Sequence, residues 1–299
     1  MSKIDLGYPH SVIDDGKGGT IIGLKDMPQT TFDLVKQNFT PRPDDVLIAT
    51  FPRSGTIWTR QLVHLLSNGD ETDAQGFSET IPFLDPIGDE LATLIAFEQR
   101  QSPRYFCSHR RLSLMPGYDA HTDRLSGRYI YVVRNPKDCA VSYYHFSKKS
   151  WLIEYTGTWD HYCELFFAGL VPWGSYFDHV SEWWQASQRF DNILFIHYEE
   201  MKRDLASVVT RLADWLDIDA TPQVIERVLD GADFGKMGNN PQTNMHEFYN
   251  KSDTTNGSPH MRKGTVGDWR NYFTEEQSAR FDEMAQDRLA SIGLGLDFG

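Results

Sequence analysis

Cysteine is scarce in this chain: Cys107, Cys139 and Cys163 are the only three among 299 residues. An odd, sparse set without paired spacing implies reduced thiols rather than a disulfide framework. Neither C-x-x-C nor H-E-x-x-H occurs, so no metal is expected. Positive charge is also short. Lys and Arg number 29 against 42 Asp and Glu, a net charge of −13. That balance excludes nucleic acid held by general electrostatics. It also means that any anionic ligand needs a local basic cluster. No apolar run approaches the roughly 18 residues of a membrane span. The opening stretch MSKIDLGYPHSVIDDGKGG is polar and lacks a hydrophobic leader core, so the expected setting is cytoplasmic, with no membrane partner. Aromatic residues, by contrast, make up 13% of the chain, enough to line a pocket as well as a core.

The apolar residues set out an alternating pattern. VLIATF (46–51) is a short continuous apolar run, the mark of a strand buried on both faces. After it, Ile57, Trp58, Leu62, Leu65 and Leu66 fall on one helical stripe. YIYVV (129–133) and NILFIHY (192–198) read as further buried strands, and RYFCSH (104–109) as a fourth. Asn135 and Pro136 suit the start of a helix. Leu205, Val208, Val209, Leu212, Trp215 and Leu216 mark another, and residues 275–290 a last one. The expected fold is α/β: a single domain over 1–299, with a central parallel β-sheet flanked by helices. Residues 1–44 form an N-terminal segment without clear period. Residues 231–264, polar and rich in Gly and Asn, read as a long loop, a candidate lid.

The stretch ATFPRSGTIW (49–58) lies on the first strand-to-helix turn. A Walker loop reads G-x-x-x-x-G-K-[ST]. Here the basic residue comes first: Arg53-Ser54-Gly55-Thr56. Backbone N–H groups of Ser54, Gly55, Thr56 and Ile57, backed by the helix dipole, would form an anion site. From the loop alone, an ordinary turn is equally open. A nucleotide triphosphatase would also need Mg²⁺ held by a strand-end acid. The later strands end in VVRNP and FIHYEE. Arg134 has the wrong charge for a metal, and only Glu199 and Glu200 keep a kinase reading open.

Three motifs in this order resemble those of the cytosolic sulfotransferases. FPRSGTIW (51–58) resembles their 5′-phosphosulfate loop, usually Y-P-K-S-G-T-x-W. YVVRNPKDCAVSYYHF (131–146) resembles their 3′-phosphate motif, and RKGTVGDWRNYFT (262–274) their C-terminal motif R-K-G-x-x-G-D-W-K-x-x-F-T. The resemblance runs from about residue 40 to 290. It implies a P-loop-like sulfotransferase fold and transfer of a sulfuryl group from 3′-phosphoadenosine 5′-phosphosulfate (PAPS) to a small acceptor, leaving adenosine 3′,5′-bisphosphate (PAP). Arg53 would cover the phosphosulfate bridge where most of the family has Lys. Arg134 and Ser142, with Arg262, Lys263 and the N–H of Gly264, would hold the 3′-phosphate. Three basic groups converging there would repel one another without a ligand. Trp58 would stack on adenine, with Tyr198, Phe234 and Met261 around it. Ala232 stands where relatives often carry a hydroxyl.

FCSHRRLSLMP (106–116) resembles the family segment that carries the catalytic base, which falls on His109. An imidazole can take the proton of a hydroxyl or amine as it attacks sulfur. Cys107 stands where relatives have a charge-balancing Lys, so Arg53, Arg110 or Arg111 would have to supply that charge. Phe83 and Phe146 suggest an apolar acceptor wall, and Asp85, Asp89 and Glu90 could draw a cationic acceptor. The family's dimer motif is degraded at Arg270, Thr274-Glu275 and Ala279, which implies a monomer or a different interface.

Overall fold

The computed structural model describes residues 5–68, 76–85, 90–240, 243 and 260–296. The N-terminal segment is more regular than its sequence suggests. Strands β1 (His10–Asp14) and β2 (Thr20–Leu24) form an antiparallel hairpin, and a helix follows at Gln29–Asn38. Only Ile13 of β1 is buried, so the strand shows little of the alternation that would reveal it. The next strands are β3 (Val46–Thr50), β4 (Tyr105–Ser108), the two-residue β5 (Tyr118–Asp119) and β6 (Arg124–Leu125), β7 (Arg128–Val133) and β8 (Ile193–His197). All four apolar runs read as strands are therefore strands.

They pair in the order β4-β3-β7-β8, every pair parallel. β3 lies inside the sheet, and its five residues are all buried. Leu47 and Ala49 pack into one core cluster and Ile48 into the other, as alternation across a strand requires. Tyr131 of β7 stacks on Trp183 and Phe195, with centroids 5.4 and 5.0 Å apart. The chain leaves β3 for β4 on one side and returns through β7 to β8 on the other. A crevice at the carboxyl end of β3 is the expected ligand position for such a sheet.

The expected loop over 231–264 is corrected at its start. A helix runs through Pro222–Gly231, and a short one occupies Phe234–Asn239, capped by the Asp233 carboxylate, which accepts from the Lys236 N–H. The local cap outweighs the Gly and Asn content that marked the stretch as loop. Residues 241–242 and 244–259 lie outside the described residues, as does Asp89.

The foot of the sheet is held by a buried ion pair. Arg104 donates to both carboxylate oxygens of Asp45, at 2.8 and 2.6 Å, and to the Thr40 carbonyl. Both side chains are fully buried. Asp45→Ala would leave the buried guanidinium with only the partly exposed Glu98 carboxylate, 3.1 Å away, at a cost of about 3–5 kcal/mol. Urea unfolding should show that loss, with most of it recovered in Asp45→Leu/Arg104→Met. A loss below about 1 kcal/mol for Asp45→Ala would contradict the assignment.

Candidate active site

The turn after β3 is built to present backbone donors. Helix Thr56–Ser67 begins at Gly55, which caps it with φ 114° and no side-chain bond. The first intrahelical bond is donated by Thr59 to Gly55, so the preceding N–H groups face out of the helix. Arg53 has φ 70°, a left-handed conformation costly for a side-chain-bearing residue and frequent at functional turns. Ser54 departs from expectation. Its N–H donates to the Phe51 carbonyl and its buried hydroxyl faces Cys139, so it shapes the turn and does not line the cavity.

A cavity of about 520 Å³ opens over this turn. Of the expected site residues, Arg53, Gly55, Thr56, Ile57, Trp58, Phe83, His109, Arg134, Ser142, Phe146, Tyr198, Phe234, Met261, Arg262, Lys263 and Gly264 all line it. Parallel pairing explains the convergence. The ends of β3, β4, β7 and β8 carry Arg53, His109, Arg134 and Tyr198 to one edge.

His109 sits just beyond β4. Its Nδ1 lies 2.9 Å from the Thr50 carbonyl, which can only accept, so Nδ1 carries the proton and Nε2 is the basic nitrogen. The ring lies 5.3 Å from Phe83 and 5.7 Å from Trp173, centroid to centroid. Burial first, then the charges of Arg53 and Arg60, push its pKa down to about 4. His179 Nε2 donates to the His109 carbonyl, 3.0 Å away, which leaves its Nδ1 to accept from the Tyr131 hydroxyl, and burial brings its pKa to about 3.

The cations are arranged with partners. Arg53 donates through Nε to Ser142, 3.2 Å, and through Nη2 to the His260 carbonyl, 2.7 Å. Arg134 donates to the carbonyls of Arg53 and Thr265 and lies 4.4 Å over the Tyr198 ring. Its Nε is buried with no partner among the described residues. Arg262 and Lys263 both donate to Asp268, at 2.6 Å each. The expected repulsion among ligand-free cations is therefore relieved by one carboxylate of the same motif. Those donors, helped by Asn271, outweigh burial and hold Asp268 down at about 2. Asp138 ties this motif down, accepting from the N–H groups of Gly267 and Trp269.

Trp58 donates from its indole to the Ala232 carbonyl, 3.0 Å, and meets Tyr198 edge-on. A Cβ on Gly264 (φ 63°) would lie within 2.9 Å of three atoms of the Phe234 ring. A left-handed glycine, an orphaned guanidinium nitrogen and an open helix start fit a nucleotide with anionic groups at both ends.

Several expectations fail here. Arg110 is buried against Asp85, 2.5 Å, and Arg111 pairs with Glu182, so neither supplies charge to the cavity. Asp85 lines the cavity as expected, but its carboxylate already accepts from Ser108 and pairs with Arg110. Glu90 accepts from Thr31. Glu199 accepts from the Asn135 N–H and Glu200 pairs with Arg211, which removes both as metal ligands for a kinase. No cluster able to hold a metal occurs among the described residues. Cys107 is buried in β4, and burial pushes its thiol up to about 12. Sequence reasoning missed His260, Trp173, Leu24 and Met27, all lining the cavity. It missed Arg60 too, buried beside Phe83 and bonded to the Ile81 carbonyl. No motif flags them; they arrive by tertiary packing.

A sulfotransferase domain model matches residues 43–293. Sulfotransferase 1C2 of Rattus norvegicus is 37% identical over 86% of this chain and 87% of its own. Sulfotransferase 1E1 of Mus musculus is 35% identical over 84% and 85%. A mouse sulfotransferase solved with PAP superposes with a TM-score of 0.72 and 26% identity, covering 91% of this chain and 92% of that one. A retinol dehydratase solved with androsterone and PAP superposes at 0.78 with 26% identity, over 94% and 89%. The chain belongs to the sulfotransferase family, the PAPS-dependent transferases whose motifs it carries, and it is an enzyme of that class. No described helix is long and apolar enough to cross a membrane.

The buried histidines couple stability to acid. His109 and His179 have pKa values below the ordinary 6.5 in the folded chain, so between pH 6.5 and about 4 the unfolded chain binds more protons. Their contribution is complete above pH 6.5 and is lost as pH falls toward 4. Melting temperature should drop over that window, and His179→Gln should flatten the drop. An identical pH slope in that variant would refute it.

Proposed function

We propose that the protein transfers the sulfuryl group of PAPS to a hydroxyl or amine of a small-molecule acceptor by direct in-line displacement. PAPS supplies the activated sulfuryl group, and no metal is required. One observation carries the reading: His109, with Nε2 as its basic nitrogen, shares a single cavity with Arg53, Arg134 and Ser142.

His109 Nε2 takes the acceptor proton as the nucleophile attacks. Arg53 and the N–H groups of Gly55, Thr56 and Ile57 hold the 5′ end, where charge develops. Arg134, Ser142, Arg262, Lys263 and the N–H of Gly264 hold the 3′-phosphate. Trp58, Tyr198, Phe234 and Met261 hold adenine. Phe83 and Phe146, with Trp173, form the acceptor wall. Residues 231–264, including the stretch outside the described residues, serve as the lid over both substrates. The working unit is a monomer or a dimer other than the family's, and the setting is cytoplasmic. Labelled product from ³⁵S-PAPS and an acceptor panel, formed in the presence of EDTA, tests the reaction. Product that depends on added Mg²⁺ would contradict it.

Nucleotide affinity should depend on the 3′-phosphate. Arg134→Ala removes a buried charged partner, at a cost of about 2–5 kcal/mol in PAP binding by calorimetry. Equal affinity of the parent for PAP and AMP would refute the assignment of that subsite.

His109→Ala should lose about 10²–10⁴-fold in turnover while keeping PAP affinity. Because the imidazole pKa is depressed to about 4, the base is neutral at every working pH. The acid limb of kcat/KM in the parent should therefore lie below pH 5. A limb near pH 6.5 would show that another group titrates.

A further inference from the structure

The segment that enters the C-terminal motif brings a second imidazole to the transfer site. His260 immediately precedes Met261 and lines the cavity. Its Nε2 is 2.7 Å from Nη1 of Arg53, and its carbonyl accepts from Nη2 of the same guanidinium. Nδ1 lies farther from the same Nη1, at 3.2 Å; an arginine only donates, so the nearer nitrogen, Nε2, is unprotonated and the neutral ring carries its proton on Nδ1. The ring also lies 5.9 Å from Phe146, at the acceptor wall. His260 thus adjoins both the cation assigned to the phosphosulfate and Phe146 of the acceptor wall, over which that guanidinium itself lies at 5.1 Å.

Besides Arg53, no described cation lines the cavity at this point, although Arg60 acts on it electrostatically from outside the lining. Cys107 gives no cation, Arg110 and Arg111 are committed to Asp85 and Glu182, and Arg60 does not line the cavity. We propose that His260 is a catalytic residue, donating a hydrogen bond to the transferring sulfuryl oxygens beside Arg53 in place of the missing lysine at position 107. The inference rests on the sulfuryl-transfer reading above.

The chemistry balances without a new proton carrier. A lone pair of the acceptor forms the new bond to sulfur. The bond from sulfur to the bridging oxygen breaks, and its electrons remain on the 5′-phosphate of PAP. The acceptor proton goes to Nε2 of His109. His260 keeps its proton throughout and offers one N–H to the group in flight. Burial, Arg53, Arg60 and His109 all disfavour a charged His260 in the ligand-free chain. A sulfuryl anion held by Arg53 adds the opposite charge to the same spot and favours a donating ring there.

The test compares two nucleotides and three proteins. PAP lacks the sulfuryl group, so a contact to that group shows as a preference for PAPS over PAP, measured by calorimetry without acceptor. His260→Ala should lose that preference about tenfold, keep PAP affinity within threefold, and lower ³⁵S transfer at least tenfold. His260→Gln, which retains an N–H donor, should recover part of both. Parallel losses of PAP and PAPS affinity would make His260 a structural residue of the loop and overturn the proposal. So would an alanine variant with the parent's PAPS preference. A parent that binds neither nucleotide would instead overturn the sulfuryl-transfer reading itself.

Discussion

The bond between the Thr50 carbonyl and Nδ1 of His109 is the point on which the site turns. It spans two neighbouring strands and exists because of their register. Ala49 of β3 lies opposite Ser108 of β4, so the next residues along, Thr50 and His109, meet one step beyond that pair. The carbonyl selects the tautomer, and the tautomer leaves Nε2 unprotonated, as the proposed base requires. The same strand end, one turn later, bends through Arg53 into the helix whose first N–H groups face the cavity. The proposed base and the proposed anion cradle are therefore positioned by a single backbone segment. A shift of one residue in the β3–β4 register would separate them.

A parallel sheet makes this arrangement economical. Its strands all end on the same edge, so residues far apart in sequence arrive together without long loops. Arg53, His109, Arg134 and Tyr198 each follow a strand end. Burial on both faces then fixes the strands closely enough to set side-chain positions. Tyr129, Tyr131 and Val133 pack to one side of β7, and Ile130 and Val132 to the other.

This edge was legible in the sequence because each part is local. An apolar run followed by a turn residue and a helical stripe identifies a strand end by itself. The pairs that tune the site were not legible. Arg53 and His260 are 207 positions apart, and neither neighbourhood announces the other. Arg60 sits on the same helix as Trp58 and reads as an ordinary surface arginine, yet it is buried against Phe83. Ser54 failed for the opposite reason. A motif residue was credited with a ligand contact, while the tight turn consumes its N–H internally. The hairpin β1–β2 was missed because a half-exposed strand of five residues has too few buried positions to show a period.

Charge distribution explains how a chain of net charge −13 can hold an anion. The total matters little beside the allocation of each cation. Asp85 and Glu182 take Arg110 and Arg111 out of play in buried ion pairs. Asp268 holds Arg262 and Lys263 at the cavity rim, where they stay oriented and compensated. With its pKa depressed to about 2, that carboxylate stays ionised at any working pH. A phosphate arriving there must compete with it, so the gain from two cations is the difference between two anions and not the full attraction. Arg134 lies elsewhere on the scale. It is bonded to neutral carbonyls and an aromatic face, with one buried nitrogen unsatisfied among the described residues. A phosphate held as proposed would displace no anion at Arg134, so that contact would carry more of the binding free energy than the two motif cations.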